Sequence, residues 1–174
     1  MLNNTIKDYI QGLDRDTLKK CLRARDIAIE YEKETGCQDT LLSDSAYVYD
    51  IGMHYIAKTI ANKTEPLTKA EKEIINLHSY IGYRLLKEME VEEDICQMVL
   101  FHHSLKPVAF GEVPMCNDLV ANRRKKLFCI DAFIGLTSDR PYRERFSNEE
   151  AYNILLQTSI CDENIMNFLK ERYI

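Results

Sequence analysis

Two aspartates and three histidines are the residues of this chain most able to do chemistry. Asp50 and Asp131 each interrupt an apolar stretch, Tyr47-Val48-Tyr49-Asp50-Ile51-Gly52 in one case and Leu127-Phe128-Cys129-Ile130-Asp131-Ala132-Phe133 in the other. Burying an unpaired carboxylate is costly, so an aspartate in such a setting is ion-paired, used as a cap, or bound to a metal. There are four histidines, His54, His78, His102 and His103. A lone helical histidine is usually an ordinary core or surface residue. The adjacent pair has two readings. It caps a helix C-terminus, whose negative end suits an imidazolium. Alternatively it offers neutral imidazoles to a metal, each ligating through one nitrogen while the other donates a hydrogen bond. Asp50, His78, His102, His103 and Asp131 together form a mixed oxygen and nitrogen set. That set suits iron(II), manganese or zinc better than calcium.

Helices must position these residues. Glycine (6) and proline (4) are scarce, so turns are few and helices long. Residues 13–31 place Leu18, Cys21, Leu22, Ala24, Ile27, Ala28 and Tyr31 mostly at three- and four-residue steps, the mark of an amphipathic helix. Gly36 is placed to end it. A helix over 44–51 is apolar on nearly every side and is expected to be central. A short one is expected over 55–61. Thr68-Lys69-Ala70-Glu71 is a capping box that opens a helix to about residue 89. Further helices are predicted over about 92–102, 119–138, 147–158 (opened by the capping box Ser147-Asn148-Glu149-Glu150) and 162–173, with a loop over 104–117 holding Pro107, Gly111 and Pro114. No segment alternates with a period of two. The expectation is therefore an all-α single domain of about seven helices.

Composition narrows the function classes. The chain of 174 residues is 45% hydrophobic and 29% charged with a net charge of -5, so nothing favours binding a nucleic-acid polymer. The basic run Arg123-Arg124-Lys125-Lys126 is read as a solvated helix face. The six cysteines, at 21, 37, 96, 116, 129 and 161, form no CxxC pair. They are read as reduced, mostly buried thiols. No apolar run is long enough to span a bilayer and the N-terminus has no apolar signal region. A cytoplasmic location is expected, with no membrane partner.

Four segments, in order and rough spacing, resemble one known family. They are Leu67-Thr68-Lys69-Ala70-Glu71, His78-Ser79-Tyr80-Ile81-Gly82, His102-His103, and Asp131-Ala132-Phe133-Ile134-Gly135-Leu136-Thr137-Ser138-Asp139-Arg140-Pro141-Tyr142-Arg143. The chain is similar to the HD-GYP domains of the HD phosphohydrolase superfamily. The likeness covers about residues 17–158 and is strongest over 40–158. It implies a helical bundle holding two or three metals bridged by carboxylate and hydroxide, and hydrolysis of cyclic di-GMP. It assigns Asp50, His78, His102, His103 and Asp131 as metal ligands, with Asp50 and Asp131 also catalytic. Arg140 and Arg143 are candidate phosphate contacts, since guanidinium forks suit phosphate oxygens.

The departures from the family pattern are equally specific. Its histidine-aspartate pair falls on Tyr49-Asp50, so the histidine is replaced. Its phosphate-facing lysine falls on Met53, and its upstream ligand on Lys19 or Lys20. Its glycine-tyrosine-proline loop is not recognisable in 104–114. By the resemblance, a first metal would keep only Asp50 and Asp131. A second keeps its full set, Asp50, His78, His102 and His103. One ion is thus expected rather than two, with Tyr49 either filling the first position's space or hydrogen-bonding Asp131. The expected function is a degenerate, weak or inactive phosphodiesterase that serves as a nucleotide-binding or regulatory module. The alternatives are an active hydrolase of cyclic di-GMP or a related phosphoester, and a metal site that is a structural staple. Expected partners are a cyclic dinucleotide or nucleotide and a signalling protein. The oligomeric state is left open.

Overall fold

The computed structural model describes residue 2, residues 4–139 and residues 143–174. Among these the chain forms nine α-helices and no strand element: α1 (Asn4–Gln11), α2 (Arg15–Thr35), α3 (Leu41–Val48), α4 (Lys58–Ala61), α5 (Lys69–Glu88), α6 (Glu93–Phe101), α7 (Asp118–Leu136), α8 (Asn148–Leu156) and α9 (Glu163–Tyr173), with a 3-10 turn at Ile51–Tyr55. The all-α reading holds, and the count rises from about seven. No helix is expected from the sequence before residue 13. α1 is short, and it is held by only two buried side chains one turn apart, Ile6 and Ile10.

Local chemistry sets the helix ends. Asp14 caps α2 by accepting from the Asp16 and Thr17 amides, and Gly36, at φ 67°, closes it in the left-handed conformation that glycine adopts without strain. Both capping boxes, Thr68 with Glu71 and Ser147 with Glu150, form as the sequence implied. At the α3 N-terminus Thr40 makes no side-chain cap hydrogen bond. The buried Glu32 of α2 supplies one, its carboxylate accepting from the Ser43 amide at 2.9 Å, which ties α3 to α2.

α3 and α6 are the central helices. α6 is buried from Ile95 through Phe101 and α3 from Leu42 through Val48, except for Asp44. α2, α5 and α7 pack around them, and α8 and α9 fold back over α7. Each fully buried leucine or isoleucine, such as Ile27, Ile51, Leu100, Leu127 or Ile130, contributes about 2 kcal/mol. One close approach fixes where the chain after Asp50 lies. A Cβ on Gly52 would stand 2.0 Å from the His78 carbonyl oxygen and 2.7 Å from the Gly82 amide. Only glycine lets the 3-10 turn press backbone to backbone on α5.

Two readings of the sequence need correction. Cys129 on α7 and Cys161 before α9 are joined as a disulfide, with Cα atoms 5.5 Å apart, a spacing that suits one. The turn from α8 into α9 brings them together across 32 residues of sequence. Only Cys21, Cys96 and Cys129 are buried, whereas Cys37 is exposed. The basic run is also a solvated face only in part, with Lys125 exposed. Arg124 is buried, Arg123 pairs with Asp39, and Lys126 reaches Asp162 at 3.0 Å. Arg123 and Lys126 thereby tie α7 to neighbouring segments. No helix among the described residues is long and apolar enough to cross a membrane.

Candidate metal centre

Five helices converge on one spot. α3 ends at Tyr49, its C-cap, with Asp50 next in the chain. α6 ends at His102, its C-cap, with His103 next. Both central helices thus point their C-terminal, negative ends at the same place, which favours a cation there. α5 contributes His78 from its buried face, α7 contributes Asp131, and α2 contributes Lys20.

The histidines are oriented by backbone carbonyls. The His78 Nδ1–H donates to the Ile75 carbonyl at 2.7 Å, and the His102 Nδ1–H donates to the Val99 carbonyl at 2.6 Å. With Nδ1–H so engaged, a neutral ring at either position leaves its Nε2 lone pair free to ligate. Those two lone-pair nitrogens stand 3.2 Å apart, and the Asp50 Oδ1 lies 3.1 Å from the His78 Nε2. One ligand nitrogen from each of His78, His102 and His103 falls within 4.8 Å of the others. Three acceptors facing one another repel unless they share a cation. A metal ion satisfies all of them at once, and the second nitrogens of His78 and His102 already make the outer hydrogen bonds a ligating histidine needs. The donor set therefore fits a divalent ion and could hold one. Burial, then the charges of His103 and His78, holds the His102 pKa well below the usual imidazole value. Burial also lowers His103. Both effects favour the neutral, ligating forms.

The neighbouring half of the site is built differently. The Lys20 Nζ lies 3.1 Å from the Asp50 Oδ2 and 2.7 Å from the Asp131 Oδ1. It also sits over the face of the Tyr49 ring, 5.3 Å from its centroid. Burial alone would raise the pKa of Asp50, but the Lys20 ammonium and His78 outweigh it and hold the carboxyl well below its usual range. Lys20, with His103 beside it, lowers Asp131 in the same way against its burial. The His103 Nδ1 is 4.0 Å from the Asp131 Oδ2. Tyr49 is wholly buried, and burial together with the Asp131 and Asp50 charges pushes its phenol pKa up. Its hydroxyl finds no hydrogen-bond partner of good geometry. Tyr49 fills space edge-on to His102 with centroids 5.3 Å apart, and its hydroxyl also lies close enough to the Asp131 carboxylate for that contact to raise the phenol pKa further.

The chain thus brings Asp50, His78, His102, His103 and Asp131 together. Arg143 lies elsewhere. Its guanidinium donates to the Gly135 and Leu136 carbonyls at 3.1 and 3.3 Å and stacks on Phe146. It is occupied in closing the C-terminus of α7. Arg140 lies outside the described residues. His54 is exposed against Tyr9 and Tyr55. The residue whose role sequence reasoning missed is Lys20, which the family pattern marks only as a lost ligand. A signal existed: Lys20 continues the inner stripe of Ala24, Ile27 and Tyr31 at the same three- and four-residue steps, whereas Lys19 is exposed.

The family model described as HD domain matches residues 17–152, more than half of the chain. The chain belongs to the HD-domain family. Every residue of the site, from Lys20 to Asp131, falls within the matched segment. No curated protein matches the chain closely enough to count as a relative.

Proposed function

We propose that this HD domain holds one divalent transition metal, iron, manganese or zinc, on Asp50, His78, His102 and His103. We further propose that it works as a binding or regulatory module of the HD-GYP type instead of turning over cyclic di-GMP at a two-metal rate. The observation that carries the reading is the approach of the His78 and His102 Nε2 atoms to 3.2 Å, with the Asp50 Oδ1 3.1 Å from the first of them and a His103 nitrogen within 4.8 Å. A bound ion would polarise a phosphate oxygen and acidify a bound water.

Among the described residues, the candidates for a phosphate contact supply little else for hydrolysis. Met53 stands half-buried where the resemblance expects a phosphate-facing lysine. Arg143 is turned to the α7 carbonyls. Loss of one charge-stabilising donor costs about 3 kcal/mol in the barrier, so two such losses suit a binding role better than rapid turnover. Asp50, His78 and His102 are buried. A phosphate would reach the ion past the partly exposed His103 and Lys20, whose side chains are 32% and 24% exposed.

The test combines metal analysis of purified protein, calorimetry with cyclic di-GMP and inorganic phosphate, and a phosphodiesterase assay with added manganese or iron. One ion per chain, lost in His78→Ala, with phosphoester binding and no turnover, is the expected result. Turnover abolished by His102→Ala would replace this reading with a hydrolase. A metal-free protein whose stability is unchanged in His78→Ala would overturn the metal site itself.

A further inference from the structure

We infer that Lys20 is a tethered cation that occupies the place of a second metal ion and so sets the metal capacity of the site at one. The inference rests on the single-metal reading above and adds the residue that enforces it.

Asp50 has one oxygen facing each half of the site. Its Oδ1 faces His78, and its Oδ2 faces the Lys20 ammonium. A carboxylate divided in this way between two positive centres is the arrangement that bridges a pair of metals. Here one of the centres is an amine carried by the chain. Asp131 supplies the second anion to that centre at 2.7 Å, and the Tyr49 ring closes it from a third side.

The lysine and the tyrosine are complementary. An aromatic face attracts an ammonium but offers no lone pair to a metal at that place. The ammonium donates a charge-assisted hydrogen bond of 3.1 Å to Asp50 Oδ2 and stands 2.7 Å from Asp131 Oδ1 as an ion pair. A divalent ion would have to approach the same oxygens to about 2.1 Å, against a positive charge already there. Desolvation adds to the barrier, since both carboxylates are at most a tenth exposed.

The lysine also does something a dissociable ion cannot. It stays when metal is removed. Asp50 is therefore held toward the histidines in the metal-free protein, and the first ion meets a prearranged ligand. The same ammonium delivers one positive charge where a divalent ion would deliver two.

The test is manganese stoichiometry by elemental analysis, together with the paramagnetic resonance spectrum, on the full chain loaded with Mn(II). The wild type should bind one ion with an isolated six-line spectrum. Lys20→His, which removes the charge and adds an imidazole, should bind one ion more than the wild type and give a spin-coupled pair. Lys20→Gln repeats the comparison without adding a strong ligand, should the histidine variant fail to show a cooperative thermal transition. Its expected result is the same increment at weaker affinity. A spin-coupled pair in the wild type would overturn the inference. So would an unchanged stoichiometry in a folded Lys20 variant. The increment is read separately from the wild-type value. A wild type with no manganese and a variant with one would refute the metal site on the histidines while leaving the role of Lys20 standing.

Discussion

The two halves of the site share Asp50 and little else. On one side, one ring nitrogen from each of three histidines lies within 4.8 Å of the others, with Asp50 Oδ1 3.1 Å from the His78 Nε2. On the other, Asp50 Oδ2, Asp131 and the Tyr49 ring surround an ammonium that supplies the carboxylates with a counter-charge. The first half could hold an exogenous cation, whereas the second already has a cation carried by the chain. Replacing a ligand and losing a metal are therefore different events. The substituted half has been closed by charge, while the histidine half keeps its capacity. Both lie at the C-terminal ends of buried helices, so the local field favours a cation in each and cannot by itself distinguish them.

The largest expected effect comes from opening the closed half. Lys20→Met in metal-free buffer leaves two buried carboxylates without their counter-charge, and should cost about 4 kcal/mol of unfolding free energy. Urea denaturation would measure it. A loss under about 1 kcal/mol, the size of an exposed pair, would mean that the two halves are not distinguished by Lys20. Gly52→Ala attacks the seam between them. The added Cβ meets backbone atoms of His78 and Gly82 that have no room to give, and about 3 kcal/mol of stability should be lost. Metal affinity should fall as well, because the 3-10 turn that follows Asp50 moves off α5. Unchanged manganese binding in a folded Gly52→Ala would show that this contact does not set the Asp50 to His78 spacing.

His78→Ala acts on the open half alone. The wild type should gain about 2.7 kcal/mol when free metal reaches a hundred times its dissociation constant, and the variant should gain almost none. Thermal melts with and without manganese read the difference. The pH response of the metal-free protein is a smaller effect. The folded-state pKa values of His102 and His103 are lowered, so below the unfolded imidazole value of about 6.5 the unfolded chain binds protons that the folded chain refuses. Stability should be full above that pH and fall as pH drops beneath it. The slope is at most ~1.4 kcal/mol per pH unit for each histidine. A flat profile between pH 7 and 5 would indicate that the open half is not held neutral. Smallest of all, Arg143→Ala should cost about 1 kcal/mol through lost α7 carbonyl contacts and leave metal binding untouched.

Much of this was legible in the amino-acid sequence. Helix periodicity and capping residues are local, so the bounds of α2, α5 and α9 could be read to within a few residues, as could the central role of α3. The order of Asp50, His78, His102-His103 and Asp131 marked the ligand set. The weaker features were those in which local signals were short or misleading. α1 rests on two isoleucines. The run at Arg123 looks like a surface until tertiary contacts occupy it. Cys129 and Cys161 stand 32 residues apart with nothing local to pair them.

By itself, then, the sequence determined that the chain is helical, that it carries a metal-ligand vocabulary, and that one half of that vocabulary is altered. Tertiary structure alone decided what the alteration means. Whether Lys19 or Lys20 turns inward depends on which face of α2 packs against α3 and α7. Whether the lysine meets Asp50 and Asp131 together depends on segments from three separate helices closing to hydrogen-bond range. Charge pairing has no period along the chain. It is set by distance in space, which only the packed core fixes.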